Sequence, residues 1–187
     1  MRIIASVMAA AGMVLWTAAA GQVFGASSDP LQELLRVDNM EIGVTTGFYI
    51  HRVEEGTDVK RFSARPTVGY FLADRWELSV GYDYEEVKRD RDVWRTHVML
   101  IGPVYYAPLA DRTLGYFQGG LGASQSTPPA GSAAGTDQGL VLDLGMGAKI
   151  FLWRETALDL GIRWMVINEA NDRDRVDLFV GTSFFLR

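Results

Sequence analysis

Apolar and polar residues alternate with a period of two along most of the chain, and this pattern restricts the fold more than any other feature. In the first such segment, Met40 and Ile42 alternate with Glu41 and Gly43. Successive side chains of a β-strand point to opposite faces, so the segment predicts a strand with one apolar face. The alternation recurs in eight segments between residues 40 and 186. It predicts an all-β chain of eight antiparallel strands.

One face of the eight predicted strands carries no charged residue, although 22% of the chain is charged. In the fourth strand we assign to this apolar face the residues Trp94, Thr96, Val98, Leu100, Gly102, Val104 and Tyr106. The opposite face carries seven acidic and five basic residues, namely Glu41, Arg61, Arg65, Glu77, Asp83, Glu85, Arg95, Asp143, Lys149, Asp159, Arg163 and Asp177. Because the two signs nearly balance, we expect these side chains to form an ion-pair network.

The distribution of glycine and aromatic residues indicates which face points inward. Ten of the 20 glycines lie on the charged face, and small residues mixed with ionic ones suit the packed interior of a narrow barrel. The apolar face carries a candidate girdle for the membrane interfaces: Phe48, Tyr70, Trp76, Tyr84, Trp94, Tyr106, Trp164 and Phe184. We therefore predict an eight-stranded antiparallel up-and-down transmembrane β-barrel with a charged interior. A soluble lipocalin-like carrier, with the apolar face inside, is an alternative.

The predicted connections alternate in length. Three are short and four are longer, at residues 73–75, 108–112 and 153–155, and at residues 53–60, 86–93, 124–138 and 167–175, respectively. Short turns on one side and longer loops on the other are typical of outer-membrane barrels. We expect the short turns and both ends of the mature chain to face the periplasm.

The first 26 residues have the layout of a secretory signal peptide. Arg2 precedes an apolar run at residues 3–20 and small residues follow, so cleavage is expected between about residues 20 and 26. An uncleaved anchor helix is the alternative. Residues 27–37 form a predicted periplasmic segment with one or two helical turns, in which Asp29 is the N-cap and Pro30 the first helical residue. The barrel is predicted over residues 38–187.

Two motifs connect the chain with a known family. The run Tyr116-Phe117-Gln118-Gly119-Gly120-Leu121-Gly122 resembles the fifth-strand pattern of small outer-membrane barrels of the OmpA/OmpX type, and Phe184-Phe185-Leu186 resembles their aromatic C-terminal insertion signal. Arg187 departs from that pattern, because these proteins commonly end on the aromatic residue. The resemblance implies a monomer of the Gram-negative outer membrane, inserted by the barrel-assembly machinery. It also implies a structural or surface-interaction role in the cell envelope.

The last third of the chain resembles a second group of barrels, the PagL-like lipid A deacylases and acyloxyacyl hydrolases. The resemblance begins at Gly135-Thr136 and extends to Phe184. In that family the seventh strand runs into a His-x-Ser-Asn motif, but the base and nucleophile positions are Val166 and Asn168 here. Val cannot accept a proton, and an amide is not a nucleophile for ester cleavage. We therefore expect no catalytic residue and no enzymatic activity; the alternative is a lipid A-modifying hydrolase or an inactive relative.

The remaining candidate residues carry weak signals. His51 and His97 both fall on the predicted polar face, as do Ser63 and Ser79, but the sequence does not bring a serine to a histidine. No spacing of histidines supports a metal site, and the absence of Cys excludes thiolate ligands and disulfides. We expect no cofactor.

Charged residues in the second longer loop suggest a lipid partner. Lys88, Arg89 and Arg91 could contact lipopolysaccharide phosphates, since cationic side chains bind phosphate groups. The net charge of −5 provides no footprint for nucleic acid.

Overall fold

The computed structural model describes residues 30–52, 58–89, 92–132, 135–168 and 173–187. The predicted signal peptide lies outside these ranges, as does Asp29. One short helix precedes eight strands: α1 (Pro30–Leu34), β1 (Met40–Arg52), β2 (Asp58–Ala73), β3 (Trp76–Arg89), β4 (Asp92–Ala110), β5 (Thr113–Thr127), β6 (Asp137–Phe151), β7 (Thr156–Asn168) and β8 (Arg173–Leu186). Within the described ranges, no helix is long and apolar enough to cross a bilayer.

The eight strands form one closed antiparallel barrel in sequential order. Each strand pairs with its neighbour in the chain, and β1 pairs with β8 to close the sheet, beginning with Met40 opposite Leu186. The predicted all-β, up-and-down barrel is therefore confirmed. Sequential order follows from short hairpin connections, which can join only antiparallel neighbours.

At the end of the barrel where the longer loops were predicted, the strands extend further than expected. β3 runs to Arg89 and β4 begins at Asp92, so only residues 90–91 connect them. The predicted loop at residues 86–93 is mostly a continuation of the two strands, and Lys88 and Arg89 lie in β3 rather than in a loop tip. We call this end the loop end and the opposite one, with connections at residues 74–75, 111–112 and 152–155, the turn end.

Seven of the eight strands have the predicted faces, and β4 has the opposite orientation. Val98 and Leu100 are buried inside the barrel, whereas Met99 and Ile101 are 55% and 51% exposed. The pairing of β3 with β4 fixes this register, because Val87 lies opposite Trp94 on one face and Glu86 lies opposite Arg95 on the other. The predicted apolar set of the fourth strand thus faces inward.

The physical reason for the wrong assignment is that β4 is apolar on both faces. From Val98 to Tyr106 neither face carries a charged residue and most positions on both faces are apolar, so alternation carries no information there. Such a strand is oriented by its neighbours.

Two apolar clusters fill the ends of the interior. At the turn end, Phe71, Tyr106, Leu114, Phe151 and Phe185 form a buried layer under α1. Toward the loop end, a second cluster is built from Val98, Leu100, Val141, Met165 and Ile167. Charged side chains also point into the interior.

Candidate functional site

A cluster of ions that we call the lower cluster lies next to the apolar layer of the turn end. The Nζ atom of Lys149 donates to Glu41 Oε1 at 2.7 Å, to Asp159 Oδ2 at 2.8 Å and to Ser183 Oγ at 2.7 Å. All four residues are buried. Three oxygen acceptors use the three donors of an ammonium group, so this buried cation is fully hydrogen-bonded.

Two tyrosine hydroxyls complete the lower cluster. Tyr106 donates to Glu41 at 2.7 Å and shows a 2.9 Å contact to Glu77 Oε2, while Tyr116 donates to Asp159 at 2.8 Å. The rings of both tyrosines pack into the apolar layer. The hydroxyls therefore join the apolar layer to the ions.

A second group, the upper cluster, contains four arginines and four carboxylates. Its ion pairs are Arg65–Asp143 (3.2 Å), Arg163–Asp83 (2.7 Å), Arg163–Asp177 (3.1 Å), Arg175–Asp83 (2.8 Å), Arg175–Asp177 (2.6 Å), Arg61–Asp177 (2.9 Å), Arg61–Glu85 (2.6 Å) and Arg175–Glu85. Arg163 also lies 3.9 Å from Asp143, so each of the four carboxylates is shared by at least two arginines. Buried charges are tolerated in this form because each is paired and hydrogen-bonded.

The structure places eleven of the twelve predicted network residues inside the barrel. Arg95 is the exception: it lies on the outer face of β4 and pairs there with Glu86 at 3.2 Å. The sequence prediction also missed Arg175, which it assigned to a loop. Arg175 lies two residues before Asp177 on the same face of β8, so extending the alternation by one position could have found it.

Within the described part of the chain, the two ion clusters leave little space between them. The cavity lined by both clusters has a volume of about 30 Å³, which is space for about one water molecule. At the turn end, Leu31, Leu34 and Leu35 of the helical segment are buried against the apolar layer. We call residues 30–37 the plug segment.

Polar contacts fix the plug segment to the turns. The Arg75 amide donates to the Leu35 carbonyl at 2.8 Å, and the Asn39 side chain donates to the Glu33 carbonyl at 2.7 Å. The Glu33 carboxylate lies 3.4 Å from Arg187 and 3.7 Å from Arg154. The sequence predicted the helical turns but contained no signal that they would pack under the barrel.

The outer surface carries most of the predicted aromatic girdle. Tyr70, Trp76 and Phe184 are exposed, and Tyr84 and Trp164 are half-buried. Two predicted members are wrong because of the β4 orientation: Tyr106 is 1% exposed in the interior, and Trp94 also lies on the inward face. The side chain of Phe48 lies outside the described part. Tyr105, which is not among the predicted girdle residues, packs with its ring centroid 4.9 Å from that of Trp76.

The candidate catalytic residues do not converge. His97 lies on the outer face of β4, where the Tyr82 hydroxyl hydrogen-bonds to its Nδ1 atom. Ser63 and Ser79 lie on the inner face, so the barrel wall separates them from His97. The side chain of His51 lies outside the described part. Among the described residues there is no group of three or more acidic or histidine side chains that could hold a metal ion.

The positions of the PagL-like motif are also on the outer surface. Val166 is half-buried on the outer face of β7, and Asn168 is exposed at its end. Neither faces the charged interior. Val166 and Asn168 therefore do not contact the side chains of either ion cluster.

The cationic residues predicted to contact lipopolysaccharide lie at the loop end of β3. Lys88 pairs with Glu86 at 3.0 Å, and Tyr84 donates to the same Glu86 carboxylate at 3.0 Å. Arg89 ends the strand, and Arg91 lies outside the described residues. Lys88, Glu86 and Arg95 together give the outer face of β3 and β4 a charged rim at the loop end, beyond the apolar belt.

A closed antiparallel barrel of eight strands, apolar outside and ionic inside, has the architecture of the small outer-membrane β-barrels. The known structures agree with this class. The crystal structure of Neisserial surface protein A superposes with a TM-score of 0.59 at 17% identity, over 78% of this chain and 96% of that one. The N-terminal barrel domain of Pseudomonas aeruginosa OprF gives 0.57 at 17% identity, over 80% and 98%.

A third structure shares the architecture at lower sequence similarity. Ail, the attachment invasion locus protein of Yersinia pestis, superposes with a TM-score of 0.52 at 9% identity, over 80% of this chain and 99% of that one. No protein-family model and no curated protein sequence matches the chain. The similarity therefore concerns the fold.

Proposed function

We propose that this protein is a non-catalytic β-barrel of the Gram-negative outer membrane, with a structural or surface-contact role in the cell envelope. The observation that carries the proposal is the inverted polarity of the barrel. Large apolar side chains such as Leu121, Leu140 and Leu178 are exposed on the outside, while paired ions fill the inside. Only a lipid environment makes such an outer surface favourable.

The same polarity disfavours the soluble carrier. A lipocalin-like barrel needs an apolar interior cavity for its ligand, whereas ion pairs line this interior and the cavity between the two ion clusters is only about 30 Å³. The filled interior and the plug segment also support a barrel that does not conduct ions. Two of the three neighbours named above are a surface protein and an attachment protein, which supports a role at the cell surface.

Export and topology are part of the proposal. A signal peptide within residues 1–26 would direct the chain to the periplasm. The barrel-assembly machinery would then insert it as a monomer with the turn end facing the periplasm. Lys88, Arg89 and Arg91 would then reach the lipopolysaccharide headgroups. Replacing all three by alanine should reduce lipopolysaccharide co-purification while the barrel still folds.

Cell fractionation and gel migration test the proposal directly. We expect the protein in the detergent-extracted outer-membrane fraction, with different gel mobilities for heated and unheated samples. Recovery as a soluble periplasmic protein would contradict it. Planar-bilayer recordings of the purified protein should show no steady conductance, and mass spectrometry of lipid A with and without the protein should show no change in acylation.

A further inference from the structure

The closure of the barrel between β1 and β8 is incomplete. These strands pair from Met40 opposite Leu186 to Thr46 opposite Val180, and none of the described residues beyond that point are paired between them. Yet β1 continues to Arg52 and β8 begins at Arg173, and both remain paired with their other neighbours, β2 and β7. The wall therefore opens sideways over the half of this seam nearer the loop end.

A cavity of about 540 Å³ occupies the opening and passes through the wall. Thr46, Val176 and Leu178 line it from the outer face of the barrel, and Arg61, Arg65 and Arg163 line it from the inner face. Because residues of the outer and the inner face both line it, the cavity connects the medium around the barrel with the upper cluster. Its size suits part of an amphiphile rather than a single water molecule.

The depth of the opening corresponds to a membrane interface. Val176 lies opposite Trp164 of β7, one of the outward aromatic residues of the girdle. Nearer the turn end, Leu178, Val180 and Phe184 continue the apolar belt along β8. Polar headgroups and acyl chains meet at the level of the girdle, so the opening adjoins both.

The lining of the cavity favours an anion. Three arginines and one carboxylate, Asp177, contribute charged groups to it. Among the described residues, the Nε atoms of Arg65 and Arg163 are buried without a hydrogen-bond partner, and the nearest carboxylate oxygen to Arg163 Nε in an ion pair, Asp143 Oδ1, is 3.9 Å away. An unpaired buried donor is costly, so these two groups gain most from an acceptor entering the cavity. Guanidinium groups bind phosphate oxygens through several hydrogen bonds at once.

We propose that the β1–β8 opening admits the phosphate-bearing headgroup of an outer-leaflet glycolipid, with the phosphate at Arg61, Arg65 and Arg163 and the acyl chains against the outer face of β8. This proposal rests on the proposed function only in requiring that the protein resides in the outer membrane. Cell fractionation and heat-dependent gel mobility test that requirement separately. A folded membrane barrel that binds no lipid would therefore contradict this proposal and leave the proposed function intact.

The first arm of the test varies the ligand. Full-length protein in nonionic detergent micelles is mixed with lipid A, with dephosphorylated lipid A or with inorganic phosphate, and binding is followed by native mass spectrometry. We expect one lipid A per barrel and at least about tenfold weaker binding of the dephosphorylated lipid, because the phosphate contacts are lost. Equal binding of both lipids, or saturation by inorganic phosphate alone, would overturn the proposal.

The second arm varies the cation. Arg61→Gln should weaken lipid A binding about tenfold. Its partners remain paired after the change, since Glu85 keeps Arg175, and Asp177 keeps Arg163 and Arg175. Arg112→Gln removes an exposed cation at the turn end and is the matched control, which should bind like the wild type. An equal loss of lipid A binding in both variants would mean that Arg61 acts only through the net charge of the protein, and this would contradict the proposed site.

The third arm closes the opening. The chain has no Cys, so the pair Phe48→Cys and Leu178→Cys can be introduced alone, at positions that would face each other if the pairing of Thr46 with Val180 continued. Oxidation should abolish lipid A binding and reduction should restore it. Thr46→Cys with Val180→Cys is the control, because it links residues that are already paired. Binding that is unchanged by the first disulfide, or a dimer joined through this seam, would contradict the inference.

Discussion

Lys149 of β6 and Glu41 of β1 meet inside the barrel with 2.7 Å between Nζ and Oε1, although three strand-to-strand interfaces separate them around the wall. The contact joins residues from distant parts of the closed sheet. It is the central ion pair of the lower cluster. Because both partners are buried, each depends on the other to keep its charge paired.

Lys149→Met should therefore destabilise the barrel strongly. The change leaves Glu41 and Asp159 buried without their shared cation, and breaking a buried pair by removing one partner costs about 3–5 kcal/mol. Urea unfolding in lipid vesicles, followed by tryptophan fluorescence, measures the loss. Lys88→Met is the control, because Lys88 is largely exposed and its removal should change the free energy of unfolding by less than about 1 kcal/mol.

Tyr106→Phe should cost about 2 kcal/mol, because it removes the hydroxyl that contacts Glu41 and Glu77. The neighbouring variant Tyr105→Phe removes a hydroxyl from the outer face and should have little effect. Both can be compared by the same urea unfolding assay. Equal costs for the two variants would be incompatible with an inward Tyr106.

The orientation of β4 can be tested by spin labelling. Spin labels on single cysteines at residues 99 and 100 should differ in their surroundings. The label at Met99→Cys should be accessible to oxygen dissolved in the lipid, whereas the label at Leu100→Cys should be shielded, because Leu100 is buried inside. Electron paramagnetic resonance with lipid-soluble and water-soluble relaxants gives the comparison. The reverse pattern would restore the orientation predicted from sequence.

Leu34→Ala should destabilise the turn end by about 2–5 kcal/mol, since Leu34 is fully buried against the apolar layer. Val37→Ala alters an exposed apolar residue of the same plug segment and should change the free energy of unfolding only slightly. Hydrogen exchange of the Leu35 and Asn39 region reports local release of the segment. Unchanged exchange and unchanged unfolding in Leu34→Ala would show that the segment does not pack under the barrel.

Gly102→Ala tests a close approach of two strands. A Cβ atom at Gly102 would lie 1.9 Å from the carbonyl oxygen of Gly119, so β4 and β5 must separate to accept it. We expect a loss of about 1–3 kcal/mol in the urea assay. Gly135→Ala is the control, because a Cβ there meets no atom within 4 Å.

The fold could be predicted from sequence because the alternation is strict on seven strands. The sequence could not orient β4, where Leu100 and Ile101 are equally apolar and only the pairing with β3 decides which points inward. It could not foresee the plug either, because the three leucines of the plug segment follow no strand pattern and their burial depends on the shape of the barrel end. The charged residues of the upper cluster were identifiable by type and face, but their partners were not. The pairing of Arg65 with Asp143, 78 residues away, exists only in the closed barrel.

The long-range pairing of Lys149 with Glu41 has a consequence for biogenesis. A partly assembled sheet that lacks β6 presents Glu41 and Asp159 without their shared cation, and such a surface must stay hydrated until the missing strand arrives. Completion of the ring and expulsion of water from its centre are thus one event, and an assembly intermediate remains distinguishable from the finished protein by its wet interior.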